Sequence, residues 1–188
     1  MKNKVLSALL NDPERHAILT LSRELDLPQW CLSAGFVRNV VWDVCHGYDV
    51  LSPLNDVDLV YFDPECSKEQ DRLIEAELKR RLDVNWSVKN QARMHERNQD
   101  SPYKSTLDAM SYWPEVQTAV GITWDEGGYE FGGYELVSPF PLDKVLTCRV
   151  TLNPKRPKHA VFNQRLNSKG WLTQWPQLEV DSYISSLV

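Results

Sequence analysis

The chain has 188 residues, 42% hydrophobic and 25% charged, with a formal net charge of −5. That length can bury a sizeable core in one domain, and the acidic balance excludes the dominant basic surface that general DNA binding needs. No apolar run is long enough to span a membrane, and Met1-Lys2-Asn3-Lys4 opens no export-type leader. Cys31, Cys45, Cys66 and Cys148 lack Cys-x-x-Cys spacing, so the thiols read as free and the protein as cytoplasmic.

In chain order, residues 1–25 read as two helical pieces. Asp12 is an N-cap, Pro13 takes the first helical position, where its missing N–H costs nothing, and Ile18, Leu21 and Leu25 recur at helical spacing. Pro28 ends this region, and residues 29–33 predict a short buried strand. Gly35 marks a turn, after which Val37, Val40, Val41, Val44 and Cys45 share one face of a helix stopped by Gly47. A loop containing Pro53 then delivers the run Asp56-Val57-Asp58-Leu59-Val60-Tyr61-Phe62-Asp63, whose β-branched and aromatic residues predict a strand ending at Asp63-Pro64.

Ser67 and Gln70 form a capping box for an amphipathic helix with Ile74, Leu78 and Leu82 on its inner face. A strand centred on Trp86 follows. Residues 105–110 predict a short helix, 120–124 a strand, 126–128 a turn into Tyr129-Glu130-Phe131, and 142–148 another helix. Beyond Asn153 an irregular segment is expected, packed through Phe162, Trp171, Leu172 and Trp175. From Arg149 to Lys169 this region carries Arg149, Lys155, Arg156, Lys158, Arg165 and Lys169, with His159 and no acid. It is either a solvated face or a basic lip for a polyphosphate or an RNA end. The expected organisation is one domain over 1–188, with a core at about 28–125, N-terminal helices and a basic C-terminal segment packed on it.

The chemistry concentrates at Asp56 and Asp58. In a strand, residues i and i+2 point to one face, so both carboxylates can reach a shared divalent cation. Asp-x-Asp alone arises often by chance alternation. Here it is paired with an upstream strand–Gly35–helix unit, a layout that sets helix N-terminal N–H groups beside a strand end, where phosphates can lie.

Together, Ala34-Gly35-Phe36-Val37-Arg38-Asn39, Trp42-Asp43, the Asp56–Asp63 run, Trp86-Ser87-Val88-Lys89-Asn90-Gln91-Ala92-Arg93-Met94-His95, Trp113-Pro114-Glu115, Thr118-Ala119-Val120-Gly121, Lys169-Gly170-Trp171 and Trp175-Pro176 resemble a bacterial family of small nucleotidyltransferase-like proteins within the polymerase-β-like superfamily. The resemblance implies an α+β (α/β-like) fold, a mixed β-sheet flanked by helices. It also implies a Mg²⁺ (or Mn²⁺) site at Asp56 and Asp58, and transfer of a nucleoside monophosphate from an NTP to a small-molecule, RNA-end or protein acceptor. Gly35, Arg38 and Asn39 would then serve the phosphates, and Lys89, Asn90, Arg93 and His95 form a polar cluster at the expected end of the third strand. The sequence departs from the superfamily at two places: Phe36 follows Gly35 where a small residue is usual, and Ser87 stands in the slot of a third carboxylate. These departures keep open a catalytically silent nucleotidyltransferase fold that binds a nucleotide or partner. A glycosyltransferase, which also uses Asp-x-Asp, fits poorly because only 55 residues precede Asp56.

Overall fold

The Asp-x-Asp run and the strand before Gly35 lie side by side. In the computed structural model, which describes residues 1–182, β1 (Cys31–Ser33) and β2 (Val57–Tyr61) pair antiparallel with Ser33 opposite Asp58. β3 (Trp86–Asn90) joins β2 in parallel, with Ser87 beside Asp58. A parallel pair requires a crossover, and α4 (Lys68–Arg81) supplies it, capped by Ser67 as expected. On the other side of β1 come β4 (Gly121–Trp124) and β5 (Tyr134–Val137), both antiparallel, so the order is β3-β2-β1-β4-β5. The result is the expected mixed sheet flanked by helices.

One face of the sheet carries Val57, Leu59, Tyr61, Leu32, Val88 and Ile122 into the main core. That core is closed by α1 (Lys2–Asn11), α2 (Pro13–Glu24), α3 (Gly35–His46) and α4. The other face is split. At one end Cys31 and Val60 pack under α6 (Thr106–Met110) through Met110, and at the other end Ser33, Asp58 and Ser87 form a polar row.

Helix α3 is buried on all sides: Phe36 through Asp43 are all buried. Its inner face packs on the sheet, and its outer face is covered by the C-terminal segment. The helix expected from 142 forms but stops at Val145, and the stretch beyond Asn153, expected to be irregular, contains regular elements. The segment contains α7 (Leu142–Val145), β6 (Arg149–Thr151), α8 (His159–Ser168), α9 (Trp171–Gln174) and β7 (Glu179–Asp181), with β6 and β7 pairing in parallel. Trp171 and Trp175 meet Trp42 edge-on, with ring centroids 5.5 and 5.0 Å apart, a favoured aromatic geometry. Leu172, expected inside, is exposed.

The basic run is likewise engaged rather than presented. Arg149 pairs with Glu179, Lys155 with Asp108, Arg156 and Lys158 with Asp100, and Arg165 with Glu115. Two strand bounds also shift. β2 stops at Tyr61 because Asp63 turns off to bond Asn90 through its own N–H and C=O. β5 begins three residues after Phe131, because Phe131, Gly132 and Gly133 all take positive φ and prolong the turn.

Asp43 ties these layers together. Its carboxylate is fully buried and accepts from Ser52 N (2.8 Å), Ser52 Oγ (2.6 Å) and Trp175 Nε1 (2.8 Å). Removing a shared acceptor strands each buried donor, at about 1–3 kcal/mol apiece. Asp43→Ala is therefore expected to lower unfolding stability by about 3 kcal/mol, read from the shift in the urea midpoint. A loss under about 1 kcal/mol would show that the C-terminal segment does not depend on this carboxylate.

Candidate active site

The candidate site is one end of the sheet. β1 ends there at Ser33, Asp56 leads into β2 there with Asp58 its second residue, and Ser87 lies near the start of β3. The chain leaves β1 through Ala34, at φ 53° and ψ −121°, and enters α3 directly at Gly35. Positive φ is costly for a residue with a Cβ. The strained residue is thus Ala34 rather than the glycine expected at the turn. Two bonds hold the turn: Ala34 N–H to Val120 O at 3.1 Å, and Arg38 N–H to Ala34 O at 2.8 Å. The reversal places the α3 N-terminus, with N–H groups that lack intrahelical acceptors, at the same sheet end as Asp58. Phe36 does not intrude, because its side chain is fully buried in the main core.

Asp58 is mostly enclosed on the polar row. Burial pushes its carboxyl above the ordinary carboxylate range, and the neighbouring charge of Asp56 adds to that rise. A hydrogen bond with Ser87 and the charges of Arg38 and Lys169 pull it back. Asp56 itself stands just before β2, not within it. Two carboxylates this close repel each other, so the pair favours a proton or a cation.

Arg38 supplies the cationic side. It is 7% exposed, donates to Thr118 Oγ1 (3.1 Å) and Asn39 Oδ1 (2.8 Å), and stacks over Trp171 with its guanidinium carbon 4.6 Å from the ring. A Cβ on Gly35 would lie 3.5 Å from Arg38 Nη2 and 3.6 Å from Asn39 Nδ2. Gly35, Arg38 and Asn39 therefore form one group. Burial lowers the Arg38 pKa to about 10, opposed most strongly by Glu115, so the side chain remains a cation at neutral pH. Arg38 Nε and Glu115 Oε2 are buried without a hydrogen-bond partner among the described residues.

The remaining sequence candidates lie further along the sheet. Asn90 is three rungs beyond Ser87 on β3, roughly 10 Å at strand rise. It is fully buried and bonds Asp63 and Ala92. Arg93 bonds Asp71 and Cys66 O, and His95 Nδ1 contacts Ala92 O at 2.9 Å. Lys89 curls around the sheet edge, donating to Val88 O at 3.0 Å with Glu75 at 3.7 Å. The structure does not bring these four side chains into the Asp56–Asp58 group. In their place it brings Ser33, Glu115, Thr118, Lys169 and Trp171, which periodicity does not single out. Glu115, Thr118, Lys169 and Trp171 fall in the family phrases, Lys169 also in the basic run, and Ser33 carries no functional signal beyond ending the first strand. Among the described residues, no three His, Cys, Asp or Glu side chains come together as a metal cluster, and no helix is long and apolar enough to cross a membrane.

A family model described as nucleotidyltransferase matches residues 20–180. A solution structure described as revealing a CCA-adding enzyme head domain is 33% identical, with 96% of each chain covered and a TM-score of 0.80. A tRNA-processing enzyme in an apo form and a tRNA-processing enzyme complex are each 16% identical over 84% of this chain, with TM-scores of 0.41 and 0.42. The chain spans 41% and 39% of their lengths. No curated protein matches the chain.

The raised Asp58 carboxyl has a definite linkage sign. Its ionised form is disfavoured in the folded state, so folding loses stability as pH rises from the unfolded-state value through the folded-state one. Asp58→Asn should therefore raise stability at pH 7, and the gain should vanish below about pH 3, where both states are protonated. Urea unfolding at the two pH values measures it. A gain that persists unchanged at the lower pH would contradict the electrostatic cause.

Proposed function

Because the chain belongs to the nucleotidyltransferase family, we propose that it transfers a nucleoside monophosphate from an NTP to an acceptor hydroxyl, on a single domain, with Mg²⁺ or Mn²⁺ held by Asp56 and Asp58. The observation that carries this reading is the meeting of four features at one sheet end: two adjacent carboxylates, a hydroxyl neighbour, a helix N-terminus and a buried arginine. The donor set fits the ion. Mg²⁺ prefers hard oxygen, commonly takes one or two carboxylates and completes its shell with water and substrate phosphate. The mutual repulsion of Asp56 and Asp58 is relieved by such a cation. When bound, it would supply charge neutralisation at the transferring phosphate.

The protein's own groups account for the rest. The first N–H groups of α3 and the Arg38 guanidinium would hold and orient the phosphate chain, since both offer donors fixed in place before substrate arrives. Asn39 Oδ1 and Thr118 Oγ1 keep the arginine fork from turning away. Ser87 orients the Asp58 carboxylate through their hydrogen bond. Catalysis of this kind is mostly positioning and electrostatic stabilisation. Among acceptors, likeness to a CCA-adding enzyme head domain favours an RNA end, with small-molecule and protein hydroxyls as the alternatives.

One observation favours a second reading. Ser87, and not a carboxylate, is the β3 neighbour of Asp58, so the site would bind a nucleotide with little transfer. Calorimetry with each NTP, with and without Mg²⁺ or Mn²⁺, separates the outcomes. Metal should raise NTP affinity in the wild type, and Asp56→Ala with Asp58→Ala should abolish that gain. Label from an NTP should move to an acceptor at a rate that falls at least about a hundredfold in the double variant. Metal-enhanced binding with no label transfer to RNA, metabolites or protein would leave the silent reading in force, and identical binding with and without metal would refute the metal site.

A further inference from the structure

The C-terminal basic run contains one cation unlike the rest. Arg149, Lys155, Arg156, Lys158 and Arg165 each stand within 4 Å of a carboxylate, and Lys169 has no such partner among the described residues. It is exposed, at the end of α8. A solvated surface lysine would be free to sweep, but this one is held on both sides. Four residues before it, Arg165 Nε binds Glu115 Oε1 at 2.6 Å. Two residues after it, beyond Gly170 at φ 65°, Trp171 is only 3% exposed and has the guanidinium carbons of both Arg38 (4.6 Å) and Arg165 (5.3 Å) over its ring.

Two guanidinium groups on one indole repel each other, so this arrangement needs a counter-charge. Glu115, fully buried, provides it: it binds Arg165 and is the strongest charge holding Arg38 protonated. The clamp therefore locks the α8–α9 corner onto the same arginine that sits beside Gly35. The short chain between these two anchors fixes the backbone of Lys169 at this corner.

We infer that Lys169 is a further nucleotide-binding residue of this site, a cation carried over the Asp56–Asp58 end of the sheet by the Trp171 clamp to take the β- and γ-phosphates of an NTP. The inference rests on the nucleotidyl-transfer reading and narrows the basic run to one residue. A flexible ammonium group next to an acidic pair suits this task. It shields the carboxylates before substrate arrives and can turn to polyphosphate afterwards, as a point charge with three donors.

The test is a titration of ATP, CTP, GTP and UTP, and of the matching monophosphates, in the presence of Mg²⁺ or Mn²⁺. The proteins are the wild type, Lys169→Ala, Lys169→Arg and, as a paired-cation control, Lys155→Ala. Lys169→Ala should weaken binding of the preferred triphosphate about tenfold and leave monophosphate affinity and thermal midpoint unchanged. Lys169→Arg should stay within about threefold of wild type, and Lys155→Ala should match it. Triphosphate affinity unchanged in Lys169→Ala, with a wild type that binds, overturns the role of Lys169 alone. An equal loss for mono- and triphosphate also overturns it. A wild type that binds no triphosphate with either metal overturns the transfer reading and the Lys169 role together.

Discussion

A helix buried on every side must find a partner for each polar group it carries, and α3 carries Arg38, Asn39 and Asp43 within one and a half turns. Much of the architecture follows from meeting that demand. Asp43 is satisfied by Ser52 and by the indole of Trp175. Arg38 is satisfied by Thr118 and Asn39, with Trp171 over its face and Glu115 as its nearest strong counter-charge. Neither Thr118 nor Glu115 is near Arg38 in sequence, and both tryptophans come from the last part of the chain. The C-terminal segment is thus the second wall of α3, supplying Trp175 to the buried anion and Trp171 to the buried cation.

The same constraint explains why the candidate site has its shape. The strand-to-helix reversal at Ala34 is tight enough to force a positive φ on a residue with a side chain. It thereby brings the start of α3 to the edge of the Ser33–Asp58–Ser87 row. Strain at such a corner persists only where the surroundings over-determine it. Here Phe36 and Val37 are fully buried in the core and Ala34 N–H is tied to Val120 O. Electrostatics at the row are then set by opposing neighbours. Asp56 and burial raise the Asp58 carboxyl, while Arg38 and Lys169 hold it down. A cluster with two acids and two cations around an open end has little to gain as a purely structural device, since paired surface charges contribute little to stability. It suits a ligand that brings both a metal ion and phosphates.

Reading the chain in order recovers the parts of this arrangement that depend on neighbours in sequence. Asp12-Pro13, Gly47 and Ser67 mark helix ends by local backbone chemistry, and the structure has helix ends at each. Asp56-x-Asp58 before a β-branched run predicts a strand because side-chain alternation is a local property. The misreadings have long-range causes. The polar cluster at residues 89–95 looked like site chemistry, yet Asn90 bonds Asp63 and Arg93 bonds Asp71, partners 27 and 22 residues away. The basic run after Arg149, read as either a solvated face or a basic lip, closes five of its charges on Asp100, Asp108, Glu115 and Glu179.

What the sequence determined by itself is the α+β order of elements, the acidic pair with its upstream strand–turn–helix unit, and through its phrases the nucleotidyltransferase family. These rest on spacing and on backbone preferences that act within a few residues. Only the tertiary structure decided which charges are spent and which are left. Glu115 becomes the counter-charge for two arginines, Ala34 takes the positive φ at the turn that Gly35 marks, and Lys169 has no carboxylate within 4 Å among the described residues. An ion pair or a cation–π contact forms wherever packing brings two groups within a few ångströms, and that distance is set by the whole fold rather than by the order of residues along the chain.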